Sequence, residues 1–141
     1  MSQSPSADQS VVPVDSIEIQ VRVRYAECDP MGVAHHSVYP IWMEIARTDM
    51  LRRGGLTYRE MEARGIGFVV ARMSLRYRKP ARYDDELRIR CASLPCAGVK
   101  IDHEYEIFRG SELLTSAQTT LVCVDLKTGR PQPIPAGIFG R

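Results

Sequence analysis

Residues 25–36 read Tyr-Ala-Glu-Cys-Asp-Pro-Met-Gly-Val-Ala-His-His, and Tyr39-Pro40-Ile41-Trp42 follows shortly after. A carboxylate, Asp29, therefore stands a few residues ahead of a helix start. The first N–H groups of a helix have no intrahelical acceptor and carry partial positive charge. Such a terminus can polarise a carbonyl and hold the oxyanion formed when that carbonyl is attacked. A carboxylate beside an oxyanion hole suffices for acyl transfer, with the carboxylate acting as nucleophile or as base toward water. Asp-Pro-Met-Gly is equally an ordinary type I turn signature. Spacing thus identifies a carboxylate and a donor set, not a reaction.

The other reactive side chains offer less. Adjacent histidines such as His35 and His36 are expected to point in different directions, and no third ligand has suitable spacing, so no metal site is expected. Cys28, Cys91, Cys96 and Cys123 form no Cys-x-x-Cys pair and read as free thiols of a cytosolic protein. Cys28 adjoins Asp29, and a neighbouring carboxylate disfavours a thiolate nucleophile. His103 reads as a hydrogen-bonded core residue, and Glu44 as a helix-surface partner of Arg47. The basic run Arg72, Arg76, Arg78, Lys79 and Arg82 is either a solvated sheet face or a cradle for phosphates. Nucleic acid is a poor third, because no aromatic interleaving accompanies the charges and the net charge is only +2.

The elements that must position Asp29 are legible as patterns. Residues 1–15, rich in Ser, Gln, Asp and Pro, read as a flexible tail before a single domain over 16–141. Ile17, Ile19, Val21, Val23 and Tyr25 alternate with polar residues, which predicts a half-buried strand. A helix is expected over about 37–53, its apolar row formed by Val38, Ile41, Trp42, Ile45, Ala46 and Met50. Pro40 is tolerable only in its first turn, and Gly54-Gly55 stops it. Thr57 and Glu60 form a capping box for a second, short helix that Gly65 ends. Four strands follow. The first buries Val69, Ala71, Met73, Leu75 and Tyr77; the next two carry Leu87, Ile89, Cys91 and then Val99, Ile101, His103, Tyr105, Ile107. The fourth runs from about 113 to 124, before a Pro-rich tail. Short turns between them predict an antiparallel meander. No apolar stretch approaches the roughly 20 residues of a membrane span, and no secretory leader is visible. A thin α+β core with long exposed strand edges predicts a homodimer or higher oligomer.

The segment from Tyr25 to Arg47 resembles the opening motif of the hotdog-fold 4-hydroxybenzoyl-CoA thioesterase family. The motif is a Tyr, an acidic residue, Asp, two spacers, Gly and Val, then a helix with an aromatic and a Glu-x-x-Arg pattern. The similarity continues through Arg76–Leu87, Val124-Asp125 and Thr128–Pro131, covering about residues 18–135. It departs at Val38, where the family commonly carries Asn. The resemblance implies a long central helix wrapped by a five-stranded antiparallel sheet, working as a dimer or a dimer of dimers (a homotetramer). It implies an acyl-CoA substrate, no cofactor and no metal. Asp29 would assist attack on the thioester carbonyl, and the backbone N–H of His36 would bind the carbonyl oxygen. Tyr25 and the His36 side chain match site-lining positions of the Tol–Pal-associated branch, with Gly32 and Val33 beside the substrate. Phe68, Val69 and Val70 would line the pantetheine channel from the neighbouring subunit. A hotdog hydratase or dehydratase using Asp29 and His36 as an acid–base pair, and a non-catalytic acyl-ligand module, are the competing readings.

Overall fold

The alternation centred on Ile17–Val21 forms strand β1, which opens at Asp15 and closes at Arg22. The computed structural model describes residues 13–96 and 98–139. Residues 1–12 of the expected tail lie outside the described residues. Val14 donates its N–H to Ser93 O (2.9 Å), and Asp15 takes an ion pair from Arg53 (2.6 Å). Val14 and Asp15, which composition assigns to the tail, are thus held against the domain. At the other end β1 is shorter than expected: Tyr25–Glu27 is a turn of 3-10 helix, which lifts Tyr25 out of the strand's alternation.

The helices form where their caps lie. A 3-10 turn, His36–Val38, leads into α1, Tyr39–Arg53, with Pro40 in the first turn. Thr57 Oγ1 accepts the Glu60 N–H at 3.1 Å and starts α2, Tyr58–Ala63. Strands β2 (Ile66–Tyr77), β3 (Glu86–Ser93), β4 (Lys100–Arg109) and β5 (Glu112–Asp125) complete one antiparallel sheet in the order β1-β3-β4-β5-β2. Only β3-β4-β5 is a meander. Strand β2 does not pair with β3, as consecutive order suggested; it crosses to the far edge and pairs with β5. This is the helix-wrapped hotdog arrangement. No helix among the described residues is long and apolar enough to cross a membrane.

Two apolar rows differ from their periodicity. In α1 the buried residues are Tyr39, Trp42, Met43, Ala46, Arg47, Met50 and Leu51, whereas Ile41 and Ile45 are 51% and 41% exposed. In β2 a bulge between Val70 and Arg72 shifts the register. Val70, Met73, Leu75 and Tyr77 therefore share the inner face with Leu121, Thr119, Ala117 and Thr115, while Val69 turns outward with Val122. Because α1 packs over β1 and β3, the inner side of β2 stays uncovered: Val70 is 45% and Met73 39% exposed. The core proper lies between Trp42, Met43, Ala46 and Met50 and the inward residues Leu87, Ile89, Ile101, Tyr105, Ile107 and Leu121.

His103 is in that core, but neither ring nitrogen has a hydrogen-bond partner, contrary to the expectation of a bonded histidine. The C-terminal segment folds back to cover it: Ile134, Ile138 and Phe139 are buried, and Phe139 meets the His103 ring edge-on at 4.7 Å. Burial, with the nearby Arg47 charge, pushes the imidazole down from 6.5 to about 3. Between those values the unfolded chain holds the extra proton, so stability is full above about pH 6.5 and falls on acidification toward pH 3. The contribution is about 1.4 kcal/mol per pH unit within that window. Urea titrations between about pH 4 and pH 6 should show a shallower slope for His103→Leu than for wild type. Equal slopes would mean the group titrates normally.

Candidate functional site

Chain geometry brings Asp29 to the start of α1 by a hairpin. Cys28 and Ala34 form an isolated antiparallel bridge. Inside it, Asp29 N–H donates to Val33 O and Gly32 N–H to Asp29 O, both at 2.9 Å. Pro30 presets the turn, and Gly32, at φ +80°, takes a left-handed conformation that few other residues adopt without strain. The turn signature is therefore realised, and one carboxylate oxygen serves it: Asp29 Oδ1 accepts Met31 N–H at 2.8 Å. Oδ2 receives no hydrogen bond from the described residues and remains available. Structural and chemical roles are divided between the two oxygens of one side chain.

The hairpin is fastened on both sides. Ala34 N–H donates to Ala81 O (2.8 Å) and His35 N–H to Glu27 O (2.9 Å). The buried Glu27 carboxylate accepts Arg24 N–H (2.7 Å), the Arg24 guanidinium (3.1 Å) and the indole N–H of Trp42 (3.3 Å). It thereby ties the end of β1 to the first turns of α1. Glu27 reads in sequence only as an acidic neighbour of Asp29; its burial depends on Trp42, fifteen residues on.

At the helix start the donors are nearly all used. Ser37 N–H goes to His35 Nδ1 (3.2 Å) and Val38 N–H to His35 O (3.0 Å). His36 N–H alone in this turn has no acceptor among the described residues. Tyr77 Oη holds the His36 carbonyl at 2.9 Å, and Tyr39 Oη accepts Ala81 N–H at 3.3 Å. Burial pushes the Tyr39 phenol up. The two rings meet edge-on at 5.0 Å and form the floor of a cleft.

That cleft, about 340 Å³, is lined by Asp29, Ala34, His36, Tyr39, Tyr77, Arg78, Lys79 and Pro80. Asp29 and His36 are thus brought together, with Gly32 and Val33 in the same hairpin. Tyr25 is not among the lining residues: it is 79% exposed and stands edge-on to Tyr83 at 5.5 Å. Phe68 packs in its own core against Phe139 at 5.5 Å, while Val69 and Val70 are exposed. These three stand near the start of β2, about 25 Å along the strand from Tyr77 and the cleft. The His35 and His36 rings lie side by side at 4.2 Å rather than pointing apart, and no metal-ligand cluster occurs among the described residues. Desolvation and then Asp29 push the Cys28 thiol up, away from a nucleophile. All four cysteines are free.

The basic run divides. Lys79 and Arg78 border the cleft; Lys79 pairs with Glu112 (2.7 Å), and the Arg78 guanidinium reaches Ser116 Oγ on the outer face (3.3 Å). Arg72 and Arg76 lie on the outer sheet face, opposite Thr120 and Ser116. Arg82 stands at the turn beside Val33.

Residues 23–140 match the model of the thioesterase-like superfamily. An acyl-CoA thioester hydrolase of Escherichia coli, YbgC, is 34% identical over 119 residues, covering 84% of this chain and 89% of its own. A putative acyl-CoA thioesterase of Bacillus subtilis, YneP, is 32% identical over 113 residues, 79% of this chain and 82% of its own. Among solved structures, a DHNA-CoA thioesterase from Staphylococcus aureus superposes with a TM-score of 0.80 at 31% identity. That match covers 84% of this chain and 80% of the other.

Proposed function

Since the chain belongs to the thioesterase-like superfamily, we propose that it hydrolyses an acyl-CoA thioester to the free acid and coenzyme A, with Asp29 as its catalytic carboxylate. The observation that carries this reading is the pairing of a spare Asp29 oxygen with an unclaimed His36 N–H on one cleft. The carboxylate either attacks the thioester carbonyl itself or takes a proton from the water that does. In both courses the carbonyl oxygen becomes an oxyanion, which His36 N–H stabilises, and collapse expels the coenzyme A thiolate. When Asp29 is the nucleophile, water then hydrolyses the acyl-aspartyl anhydride. Free cysteines fit a cytosolic setting.

The neighbouring copy completes the site in this reading. Strand β2 is an edge with one unpaired side. Antiparallel pairing of two β2 strands about their middle sets Phe68, Val69 and Val70 of one copy opposite Leu75, Ser74 and Met73 of the other, on the approach to its Tyr77. It also covers the exposed Val70 and Met73. A dimer, or two dimers joined as a homotetramer, should appear by light scattering at micromolar concentration. Val70→Asp with Met73→Asp should yield monomers and cut turnover at least about tenfold, as charge cannot be buried unpaired there. A monomeric wild-type protein at full activity would remove the intersubunit channel.

In this reading Arg78 and Lys79 at the cleft rim meet the phosphates of coenzyme A. Arg78→Ala should raise KM several-fold with kcat nearly unchanged, and added salt should do the same. Salt-independent kinetics with an unmoved KM would return the pair to a solvated face.

The test of the function is thiol release from a panel of acyl-CoA esters, read with Ellman reagent. Stoichiometric thiol and free acid are expected. Conversion of an enoyl-CoA without thiol would show a hydratase, and tight binding without turnover a carrier of acyl ligands.

A further inference from the structure

We propose that Arg109 is a positioning residue of the site: it fixes the two peptide planes on either side of Ala81, and through them the cleft floor and the hairpin that carries Asp29. The assignment rests on the thioesterase reading and adds to it a residue that does not line the cleft.

Residues 78–85 join β2 to β3 and supply one wall of the cleft with Arg78, Lys79 and Pro80. Ala81, fully buried, connects this wall to the rest of the site. Its N–H donates to Tyr39 Oη (3.3 Å) on the cleft floor, and its carbonyl accepts Ala34 N–H (2.8 Å) from the Asp29 hairpin. A peptide group is planar, so the C=O and N–H at its two ends turn together. Pro80 O and Ala81 N–H share one plane; Ala81 O and Arg82 N–H share the next.

Arg109 holds the far end of both planes. Its Nη1 donates to Pro80 O (3.2 Å) and to Asp85 Oδ2 (2.7 Å), and the same Oδ2 accepts Arg82 N–H (2.8 Å). Nη2 donates to Glu112 Oε1 (2.7 Å), whose other oxygen accepts from Lys79 Nζ at the cleft rim (2.7 Å). A guanidinium is a rigid planar fork that presents its donors at fixed angles. A bond at one end of a peptide group also polarises it and strengthens the bond at the other end. Arg109 and Asp85 stay partly open to water, at 32% and 21% exposure, so their ion pair adds only modestly to stability. Orientation is the larger effect, because misplacing a reacting group by about 1 Å costs on the order of 100-fold in rate.

The test compares wild type, Arg109→Met, Arg109→Lys and Arg22→Met by thiol release from the best acyl-CoA, well below the Tm of each. Arg22 is the control: it reaches the same segment, donating to Asp84 O (2.9 Å), but touches neither plane beside Ala81. Arg109→Met should lower kcat by about 10-fold or more while KM stays within about threefold, since the groups that meet substrate are unchanged. Arg109→Lys should recover part of the loss, because an ammonium keeps the charge without the fork. Arg22→Met should leave both constants at wild-type values. A folded Arg109→Met with kcat within about twofold of wild type overturns the assignment. An equal loss of kcat in Arg22→Met also overturns it, since any loosening of 78–85 would then suffice. Should Arg109→Met fail to fold, Arg109→Lys decides: a reduced kcat supports the assignment, and a wild-type kcat overturns it. Those results leave hydrolysis by wild type standing, whereas no thiol from any acyl-CoA sinks the thioesterase reading and this assignment with it.

Discussion

Glu27→Ala is expected to lower stability by about 3 kcal/mol, which for a domain of this size moves Tm down by roughly 8–12 °C. The substitution strands two donors at once. Trp42, 2% exposed, loses the acceptor of its indole N–H, and Arg24 loses that of its backbone N–H. The unsatisfied buried indole N–H costs about 1–3 kcal/mol, the part-buried Arg24 N–H less, and the vacated carboxyl leaves a small cavity besides. Glu27→Gln separates charge from geometry. Its amide oxygen still accepts, and the ion pair it forfeits is with an Arg24 side chain 74% exposed, worth about 1 kcal/mol or less. Turnover should follow stability: Glu27→Ala loosens the 28–34 hairpin that carries Asp29, and Glu27→Gln does not. Thermal unfolding and thiol-release rates of both variants check this. A Glu27→Ala protein melting within two degrees or so of wild type would show that the carboxylate does not hold the hairpin.

What the sequence makes legible is what neighbouring residues decide among themselves. The Thr57–Glu60 cap, the Asp29–Gly32 turn and the stop of α1 at Gly54 each follow from side chains a few positions apart. Strand order does not. That β2 joins β5 rather than β3 depends on pairing at long sequence range, and the bulge near Ala71 then reverses which side chains face inward. The apolar row of α1 misleads for a related reason: Ile41 and Ile45 look like core because periodicity cannot say which side of the helix the sheet covers. Arg47 shows the converse. Glu-x-x-Arg spacing suggests a surface pair, and only the position of Tyr105, fifty-eight residues on, makes the guanidinium a buried group.

The site divides the same way. Asp29 and the His36 N–H sit close in sequence and meet in space. Tyr25 belongs to the same motif, but the 3-10 turn at Tyr25–Glu27 sets it outside the cleft, against Tyr83. Tyr77, Arg78 and Lys79 arrive from the end of β2; in sequence Arg78 and Lys79 stand out by charge and by the Arg76–Leu87 similarity, and Tyr77 as an apolar strand position. The chemical role of Tyr77, its hydroxyl donating to the His36 carbonyl, spans 41 residues of sequence and has no local pattern.

Asp29→Asn is the sharpest probe of the chemistry. The amide keeps the side chain's shape, and its oxygen can still accept Met31 N–H, so the turn and the melting temperature should survive. What it cannot do is attack a carbonyl or take a proton from water. The measurement is kcat on the best acyl-CoA, taken alongside Tm and calorimetric affinity for a non-hydrolysable analogue. The account predicts kcat lower by about 10²–10⁴ with affinity and Tm near wild type. A folded Asp29→Asn protein that binds the analogue and turns over at close to the wild-type rate would contradict it.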